Sequence, residues 1–352
     1  MKGKYLRKKK RNSLMTVLTI ALSVVLLILL AGGIYLAVLM DQVNYTPDGE
    51  EETLSSSQID ELLNRDPGET ADPSTPTIKG EDIPLVTDPV EEIVTMDRMT
   101  FLLIGQDRRP GEPRARSDVM MLCTIDPATK TVTLTSLMRD MYVTIPGYLS
   151  NRINVPYMLG GMDLLKKTVK HNFGIAVDGC IEVDFNGFMD IVELVGGVDM
   201  ELTKAEADHL NKNESFYGFP GESWSLQEGM NHLDAKQALS YSRIRRVGNS
   251  DFGRTERQRK VITAMLSQVK TLNVSQLNSL LMTGAGLVTT DMNRTELLST
   301  AMSMIPLLSD LKINTLQIPA AGTYYDANIE GVGLVLVADM EKNRNLLAEL
   351  YQ

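Results

Sequence analysis

The chain has 352 residues, more than a single ordinary domain needs, and a net charge of −10. Residues 1–12 hold seven Lys and Arg and no acid, so the rest of the chain sums to −17, which is a poor basis for general nucleic-acid binding. Cys123 and Cys180 form no CxxC pair and the three histidines lack metal or triad spacing, which argues against a zinc site. The two cysteines are expected to be buried thiols, with a disulfide as the alternative.

A membrane-spanning helix is predicted over residues 13–40, which are 28 consecutive residues without a charge. Roughly 20 apolar residues are enough to span a bilayer. The apolar run exceeds the roughly 7–15 residues of a signal peptide, so an uncleaved anchor is favoured over a cleaved leader. Because Lys and Arg prefer the cytoplasmic side, residues 1–12 are predicted to be a cytoplasmic tail of a single-pass cell-membrane protein, with everything after residue 40 outside the cell.

The next segment is predicted to be a tether. Residues 41–92 contain 15 acidic residues, six prolines and only two basic residues. Such a composition cannot bury enough apolar surface to offset its ordering entropy, so residues 41–96 are predicted to be an acidic disordered linker. The globular, extracellular domain is predicted over 97–327, and residues 328–352 are predicted to be a C-terminal tail with a helix.

Within the domain, apolar runs typical of strands alternate with amphipathic runs typical of helices. Strands are predicted at 100–105, 119–126, 131–138 and 313–319. Helices are predicted at 159–172, 185–195 and 254–272. This order predicts an α/β domain of mixed α+β character, with one central mixed β-sheet flanked by helices.

The second and third strands are joined by the four residues Pro-Ala-Thr-Lys, so an antiparallel hairpin is the simplest pairing. If residue 126 faces residue 131, Asp118 faces Arg139 at the open end of the hairpin, and Asp107, after the first strand, can reach the same end. Two carboxylates beside an arginine suit a magnesium–phosphate site, because carboxylates hold the cation and the guanidinium binds phosphate oxygens. A surface Asp–Arg pair of little energetic value is the alternative.

A second candidate site is the stretch SRIRRVGNSDFGRTERQRK at residues 242–260, which is basic within an acidic protein. Arg243 and Arg245 are two residues apart and share a face if the segment is extended. Arg254 and Gln258 are four apart on a predicted helix, so they share a helical face. The N-terminus of that helix favours an anion, and Asp251 ahead of it can act as its cap.

The alternative for this stretch is a solvated basic helix face. That is the expectation for Arg257, Arg259 and Lys260, which lie outside the Arg254–Gln258 pair. A nucleic-acid patch is disfavoured, because the segment is predicted to lie outside the cell and lacks interleaved aromatic residues.

Five sequence segments occur in an order that is typical of one protein family. They are RSDVMMLCTID at 116–126, SLMRDMYVTIPGY at 136–148, INVPYMLGGMDLLKKTV at 153–169, VDFNGFMDIVELVGGVDM at 183–200, and LQEGMNHLDAKQALSYSRIRR with DFGRTERQRKVI at 226–262. Together they resemble the LytR–CpsA–Psr family of cell-wall glycopolymer ligases over residues 97–272. Two departures are Met138, where the family has proline, and Gly-Gln-Asp-Arg-Arg at 105–109, where the family has GSDSR.

The resemblance implies an enzyme that transfers a glycosyl phosphate from a polyprenyl-pyrophosphate-linked glycopolymer to peptidoglycan, with Mg²⁺, or alternatively Mn²⁺, as cofactor. It implies as metal ligands Asp107 and Asp118. It implies as pyrophosphate contacts Arg139, Arg243, Arg245, Arg254 and Gln258. It implies as catalytic residues Arg139, Asp118 and Asp251.

Helices over 157–169 and 186–195 are expected to line an apolar slot for the polyprenyl chain. Two alternative functions stay open. One is a polyprenyl-pyrophosphate phosphatase, which would use the same residues with water as the acceptor. The other is a non-catalytic envelope regulator resembling a transcriptional attenuator, although clustered Asp and Arg residues argue against a pure scaffold.

Overall fold

The structure is a computed structural model that describes residues 38, 41–47, 57, 77–93, 97–106, 116–212, 217–248, 250–293, 295–297, 299–300 and 310–350. The chain divides into two compact units, Met1–Val43 and Asn44–Gln352. The predicted tail and nearly all of the predicted membrane span lie outside the described residues. Within the part of the chain that is described, no helix has the length and apolar character needed to cross a bilayer.

The second unit alternates strands and helices. Its strands are β1 (Asn44–Tyr45), β2 (Thr77–Ile78), β3 (Met99–Gln106), β4 (Ser117–Asp126), β5 (Thr131–Leu137), β6 (Tyr142–Val143), β7 (Asn151–Arg152), β8 (Gly179–Val183), β9 (Val198–Leu202), β10 (Gly229–Leu233), β11 (Thr289–Thr290), β12 (Lys312–Ile318), β13 (Tyr324–Ile329) and β14 (Gly333–Ala338). Its helices are α1 (Val155–Phe173), α2 (Phe185–Leu194), α3 (Lys204–Lys212), α4 (Ala235–Ser242), α5 (Ser250–Val269), α6 (Val274–Gly284) and α7 (Met340–Leu350), with short 3-10 turns at Gly80–Asp82 and Ala285–Leu287.

Within the described residues the central sheet has seven strands in the order β1-β11-β8-β3-β4-β5-β12, which confirms the predicted α/β class with a central mixed sheet. Strands β3, β4 and β5 are antiparallel neighbours, and β8 and β12 add to them in parallel. The β4–β5 ladder pairs Asp126 with Thr131 and Met121 with Ser136, which is the register that the sequence predicts. The open end of this hairpin is therefore where residue 118 meets residue 139.

Alternate side chains of the central strands enter two cores on opposite faces of the sheet, as the two-residue period of a strand requires. Leu102 and Leu122 belong to a core that contains α1. Phe101 and Met121 belong to a second core, which includes residues of α5. Helices α1 and α5 thus cover different faces of the sheet.

A third apolar cluster joins the antiparallel pair β9 and β10 to helices α2, α3, α4 and α5. Tyr241 of α4 and Leu210 of α3 are fully buried there. Helix α4 begins with a capping box in which the Asp234 carboxylate accepts from the backbone of Gln237. This cap fixes where α4 begins, and hence where the basic stretch leaves it.

The folded domain extends beyond the predicted boundaries at both ends. Strand β2 pairs with β13, and Ile83 is buried with that three-stranded sheet, although the sequence predicts a linker up to residue 96. Strands β13 and β14 and helix α7, largely within the predicted C-terminal tail, also pack on the domain, and Leu347 is fully buried. A few apolar residues suffice in these segments because they pack against a sheet formed by the rest of the chain.

Cys123 lies on β4 and Cys180 on β8, and neither is part of a disulfide. Strand β3 lies between them, and its Phe101 and Leu102 pair with Cys123 and Cys180 respectively. Burial raises the pKa of the Cys123 thiol to about 12, so this side chain stays protonated and behaves as a small apolar group.

Candidate active site

The site begins at the open end of the β4–β5 hairpin. Arg139 follows β5, and its Nη1 donates to Oδ1 of Asp118 at 2.8 Å. Arg139 is only 8% exposed, whereas Asp118 is partly exposed. The pair is therefore not the fully exposed surface ion pair that the sequence left open, and its arginine is held in one orientation.

Three carboxylates from the described part of the chain surround the Arg139 guanidinium. Besides Asp118, its Nε lies 3.3 Å from Oδ2 of Asp140 and its Nη2 lies 3.7 Å from Oδ2 of Asp251. Burial opposes the charge on Arg139, but the carboxylates of Asp140, Asp118 and Asp251 outweigh it and raise the pKa. Arg139 is therefore a permanent positive charge at this edge of the sheet.

Asp251 connects Arg139 to the basic stretch. Its Oδ1 lies 2.9 Å from Nη2 of Arg254 and 3.5 Å from Nε of Arg245. The sequence predicts Asp251 ahead of the helix as a cap, but α5 begins at Ser250 and Asp251 lies in its first turn. An acid in the first turn is favoured by the helix dipole, so the helix can start earlier than the pattern suggests.

Arg254 is the second buried guanidinium of the site, at 5% exposure. Burial and the like charge of Arg139 lower the pKa of Arg254 to about 10, against the opposing effect of Asp251. Its buried Nε has no hydrogen-bond partner among the described residues. Buried donors in native proteins are almost always satisfied, and an anion placed here would satisfy this one with a charge-assisted bond.

Arg243 lies apart from the contacts around Asp251. It is the C-cap residue of α4 with helical backbone angles, so the segment is not extended at Arg243, which was the condition for Arg243 and Arg245 to share a face. The Arg243 guanidinium lies over the rings of Phe185, at 4.7 Å, and Tyr217, at 5.9 Å, and Nη1 donates to the backbone oxygen of Tyr217.

A cavity of about 210 Å³ opens beside these charged groups between the sheet, α2 and α5. Its lining is mostly apolar and includes Ile104, Met121, Phe185, Phe188, Val261 and Met265. Two lining residues connect it to the site: Val119 follows Asp118, and Gln258 lies one helical turn after Arg254. Gln258 is thus at the boundary between the arginines and the cavity.

Of the two helices that the sequence predicts to line an apolar slot, one lines this cavity. Phe188 and Ile191 of α2 line the cavity, within the predicted stretch 186–195. The stretch 157–169 belongs to α1, which packs in the core on the other face of the sheet. Its apolar pattern reflects ordinary core packing, because a buried helix and a ligand-lining helix have the same composition.

The donor set fits a hard cation only in part. Asp107 lies outside the described residues, and no group of three or more His, Cys, Asp or Glu within the described ones could hold a metal ion. Asp118 contacts Arg139 through Oδ1 and is partly exposed, so it can also serve a cation. Gln106, the residue before Asp107, pairs with Ser117, the residue before Asp118.

Asp140 is a site residue that the sequence reasoning did not single out. Burial raises the pKa of its carboxyl, with Arg139 acting in the opposite direction and Asp251 adding to the rise. Its Oδ1 lies 3.7 Å from Nε of Arg152, which is 2% exposed. The sequence feature that could have identified Asp140 is its position next to Arg139 in the motif Met-Arg-Asp.

Two arginines expected to be solvated are buried. Arg257 is 6% exposed, and its Nε donates to Oε1 of Glu206 at 2.8 Å. Arg259 is 8% exposed, and both of its terminal nitrogens lie 3.5 Å from Oε1 of Gln317 on β12. Only Lys260, paired with Glu256, fits the expected solvated face. The neighbours that bury Arg257 and Arg259 come from distant segments.

This chain is similar in sequence to proteins of one family. The sequence model of the LytR_cpsA_psr family matches residues 70–347. The regulatory protein MsrR of Staphylococcus aureus (strain COL) is 29% identical over 255 residues, which is 72% of this chain and 74% of that protein. The polyisoprenyl-teichoic acid–peptidoglycan teichoic acid transferase TagU of Oceanobacillus iheyensis is 30% identical over 256 residues, 70% of this chain and 74% of that protein.

Solved structures agree with the sequence match. TagT bound to LIIa-WTA superposes with a TM-score of 0.60 at 26% identity, covering 75% of this chain and 95% of that one. The LytR-CPS2A-psr family protein YwtF (TagT) with bound octaprenyl pyrophosphate lipid gives a TM-score of 0.56 at 26% identity, with the same coverage of both chains.

Proposed function

This chain belongs to the LytR–CpsA–Psr family, and we propose that it is a membrane-anchored phosphotransferase of cell-wall assembly. In this proposal it moves a glycopolymer phosphate, such as that of a teichoic acid or capsule polymer, from a polyprenyl-pyrophosphate carrier to peptidoglycan. Support comes from a relative that is named a teichoic acid transferase and from a structural neighbour that holds octaprenyl pyrophosphate.

The observation that carries the proposal is that buried arginines lie next to an apolar cavity. Two buried guanidinium groups, Arg139 and Arg254, are close in the fold to residues that line an apolar cavity. Arg139 is paired with Asp118, which precedes the lining residue Val119, and Arg254 lies one helical turn before the lining residue Gln258. A polyprenyl pyrophosphate has this same division, an anionic head on an apolar chain. The head would receive charge-assisted bonds from the arginines, and the chain would enter the cavity.

The proposed reaction requires little covalent chemistry from the protein itself. The acceptor hydroxyl oxygen forms a bond to the phosphorus that carries the glycan, the bond from that phosphorus to the bridging oxygen breaks, polyprenyl phosphate leaves, and the hydroxyl proton is released. Such transfers depend mainly on positioning and on neutralising the charge that develops on the phosphate oxygens. Arg139 and Arg254 are placed to do both.

We also propose a divalent cation, Mg²⁺ or Mn²⁺, held by Asp118 together with Asp107. When bound, the ion supplies additional positive charge to the phosphates. The residues in contact around Asp251 and Arg139 nearly balance one another, so the negative charge of a pyrophosphate is left for a further cation to neutralise. They are Arg139, Arg245, Arg254, Asp118, Asp140 and Asp251.

Product analysis tests the proposal. Detergent-solubilised full-length protein is given a polyprenyl-pyrophosphate-linked oligosaccharide, Mg²⁺ and peptidoglycan fragments, and products are identified by mass spectrometry. We expect polyprenyl phosphate together with fragments that have gained the glycan phosphate. Free glycan phosphate in their place would identify a phosphatase, and an unreacted donor would favour the regulatory role that the name of MsrR suggests for that relative.

A further inference from the structure

A second concave surface lies on the other side of α5 from the apolar cavity. It is a groove of about 660 Å³ between α5, strand β9 and strand β12, the outermost strand at that end of the central sheet. We call it the α5 groove. Its lining is Asp199, Met200, Glu201, Glu256, Arg259, Lys260, Thr263, Ala264, Ser267, Gln268, Thr271 and Thr315.

The lining of the α5 groove is more polar than that of the apolar cavity. Hydroxyl and amide groups are contributed along α5 and β12 by Thr263, Ser267, Gln268 and Thr315. From Glu256 to Gln268 the helix rises about 18 Å. A long channel with both donors and acceptors is suited to a chain rich in hydroxyl and amide groups, such as a glycan, and is unsuited to a lipid.

Arg259 at the base of the groove is a buried cation that the proposed transfer reaction does not use. It has no carboxylate within ion-pair distance among the described residues, and its contacts are two 3.5 Å approaches to the Gln317 amide oxygen. Burial lowers the pKa of Arg259, with Glu256 acting in the opposite direction. A buried charge is normally paired, so this guanidinium has capacity for an anionic partner.

The acids of the groove do not fill that role. Glu256 is paired with Lys260 at 2.9 Å, Asp199 is hydrogen-bonded to His232 at 2.7 Å, and Glu201 is exposed on β9 and makes no ion pair with Arg259 in the described part of the chain. A carboxylate brought by a ligand is therefore the partner that fits Arg259, through two parallel hydrogen bonds.

One end of the α5 groove approaches the active site. Gln317 pairs with Ser136, three residues before Arg139. Thr255, one helical turn before Arg259, donates through Oγ1 to the sulfur of Met138, the residue before Arg139. A chain lying in the groove would thus have one end near the arginines that hold the donor phosphates in the proposed reaction.

We propose that the α5 groove binds the acceptor, a peptidoglycan strand, and that Arg259 pairs with a carboxylate of its stem peptides. This inference rests on the proposed function, since it assigns a place to the acceptor of that reaction. The donor lipid and the acceptor strand then occupy opposite sides of α5, and their reacting groups meet near its N-terminal end.

Groove-filling variants of the full-length protein test the inference. Ser267 is exposed in the groove, so Ser267→Trp should fill it and weaken binding of soluble peptidoglycan fragments by about tenfold or more, with a matching rise in the acceptor KM and unchanged donor binding. Ser279→Trp is the matched control, because Ser279 is exposed on α6 and does not line the groove. Thermal unfolding checks that both variants are folded.

Arg259→Gln separates the carboxylate contact from the groove as a whole. It should weaken binding of peptidoglycan fragments by about tenfold, and leave binding of chitooligosaccharides, which have no carboxylate, near the wild-type value. Unchanged fragment binding and unchanged acceptor KM in Ser267→Trp would overturn the groove assignment even if transfer is intact. Conversely, groove-dependent fragment binding without transfer would sink the proposed reaction and leave the groove as a binding site.

Discussion

At the residue scale, Asp251 has the most contacts with site arginines. It approaches Arg139, Arg245 and Arg254, which come from the end of β5, the loop after α4 and the start of α5. Two parts of the chain that are distant in sequence, the end of β5 and the stretch from Arg245 to Arg254, are therefore joined at one carboxylate. Arg254 is the most informative of the three to change, because it is buried and its Nε lacks a partner within the described part of the chain.

Arg254→Ala should lower transfer from a polyprenyl-pyrophosphate donor by about tenfold to a hundredfold, the value of one charge-assisted hydrogen bond. Arg254→Lys should also be impaired, because lysine keeps the positive charge but lacks the two parallel N–H donors of a guanidinium. Lys204→Ala is the control, since Lys204 is exposed and its ion pair is with Asp208, one turn away on the same helix. Equal losses in Arg254→Ala and Lys204→Ala would mean that diffuse positive charge, not a positioned guanidinium, supports activity.

Asp118→Ala tests the proposed metal site. Turnover should be abolished while the fold is kept, because the side chain is partly exposed. Wild-type activity should fall on chelation and return with Mg²⁺ or Mn²⁺, as measured by donor turnover across a metal titration. Asp163→Ala changes a residue paired with Lys167, and its donor turnover should depend on metal concentration as that of wild type does. Turnover by Asp118→Ala that does not depend on metal contradicts the assignment.

At the element scale, three faces of α5 contact three different parts of the domain. Arg254 and Gln258 border the charged site and the cavity, Arg259 and Ser267 line the groove, and Arg257 anchors the helix to α3. The Arg257 guanidinium also donates to the backbone oxygens of Ile244 and Val247 in the basic loop. This arginine therefore holds the loop that contains Arg245 in place.

Arg257→Met should destabilise the domain by about 3–5 kcal/mol, because it leaves the Glu206 carboxylate buried without its partner. Burial opposes the charge on Glu206, but hydrogen bonds from Thr203 and Arg257 outweigh it and lower the pKa. A lowered carboxyl pKa gives stability that is present above its unfolded value and is lost as pH falls through the folded value.

Urea unfolding across pH measures this effect. The difference in free energy of unfolding between wild type and Arg257→Met should be largest near neutral pH and should shrink in acid as Glu206 takes up a proton. Lys204→Ala, on the exposed side of α3, should unfold like wild type at each pH. A difference that stays constant with pH would show that the lost stability comes from packing and not from the ion pair.

At the scale of the whole molecule, the proposed chemistry requires the domain to be outside the cell. The seven basic residues of 1–12 precede the uncharged stretch 13–40, and we predict the remainder of the chain to be extracellular. Protease added to intact protoplasts should remove the domain and leave the N-terminal tail protected. A tag after residue 12 and one after residue 350 report the two sides, and full protection of the second tag would overturn the topology.

Local rules were enough for part of the site. The central strands and their hairpin register followed from apolar periodicity and a four-residue loop, because neighbouring strands are joined by a connection too short to allow other pairings. That register brought Asp118 to Arg139, at 2.8 Å in the structure. The family motifs added the identity of the chemistry, which periodicity alone does not contain.

Contacts between distant segments were decided only by the tertiary structure. Asp251 meets Arg139 across more than a hundred residues, and Arg257 and Arg259 are buried by Glu206 and Gln317 from separate elements. A sequence of charges does not reveal which are solvated, because burial depends on which elements pack against the helix that carries them. For the same reason the α5 groove, formed by one helix and two strands from different sheets, has no signature in the sequence.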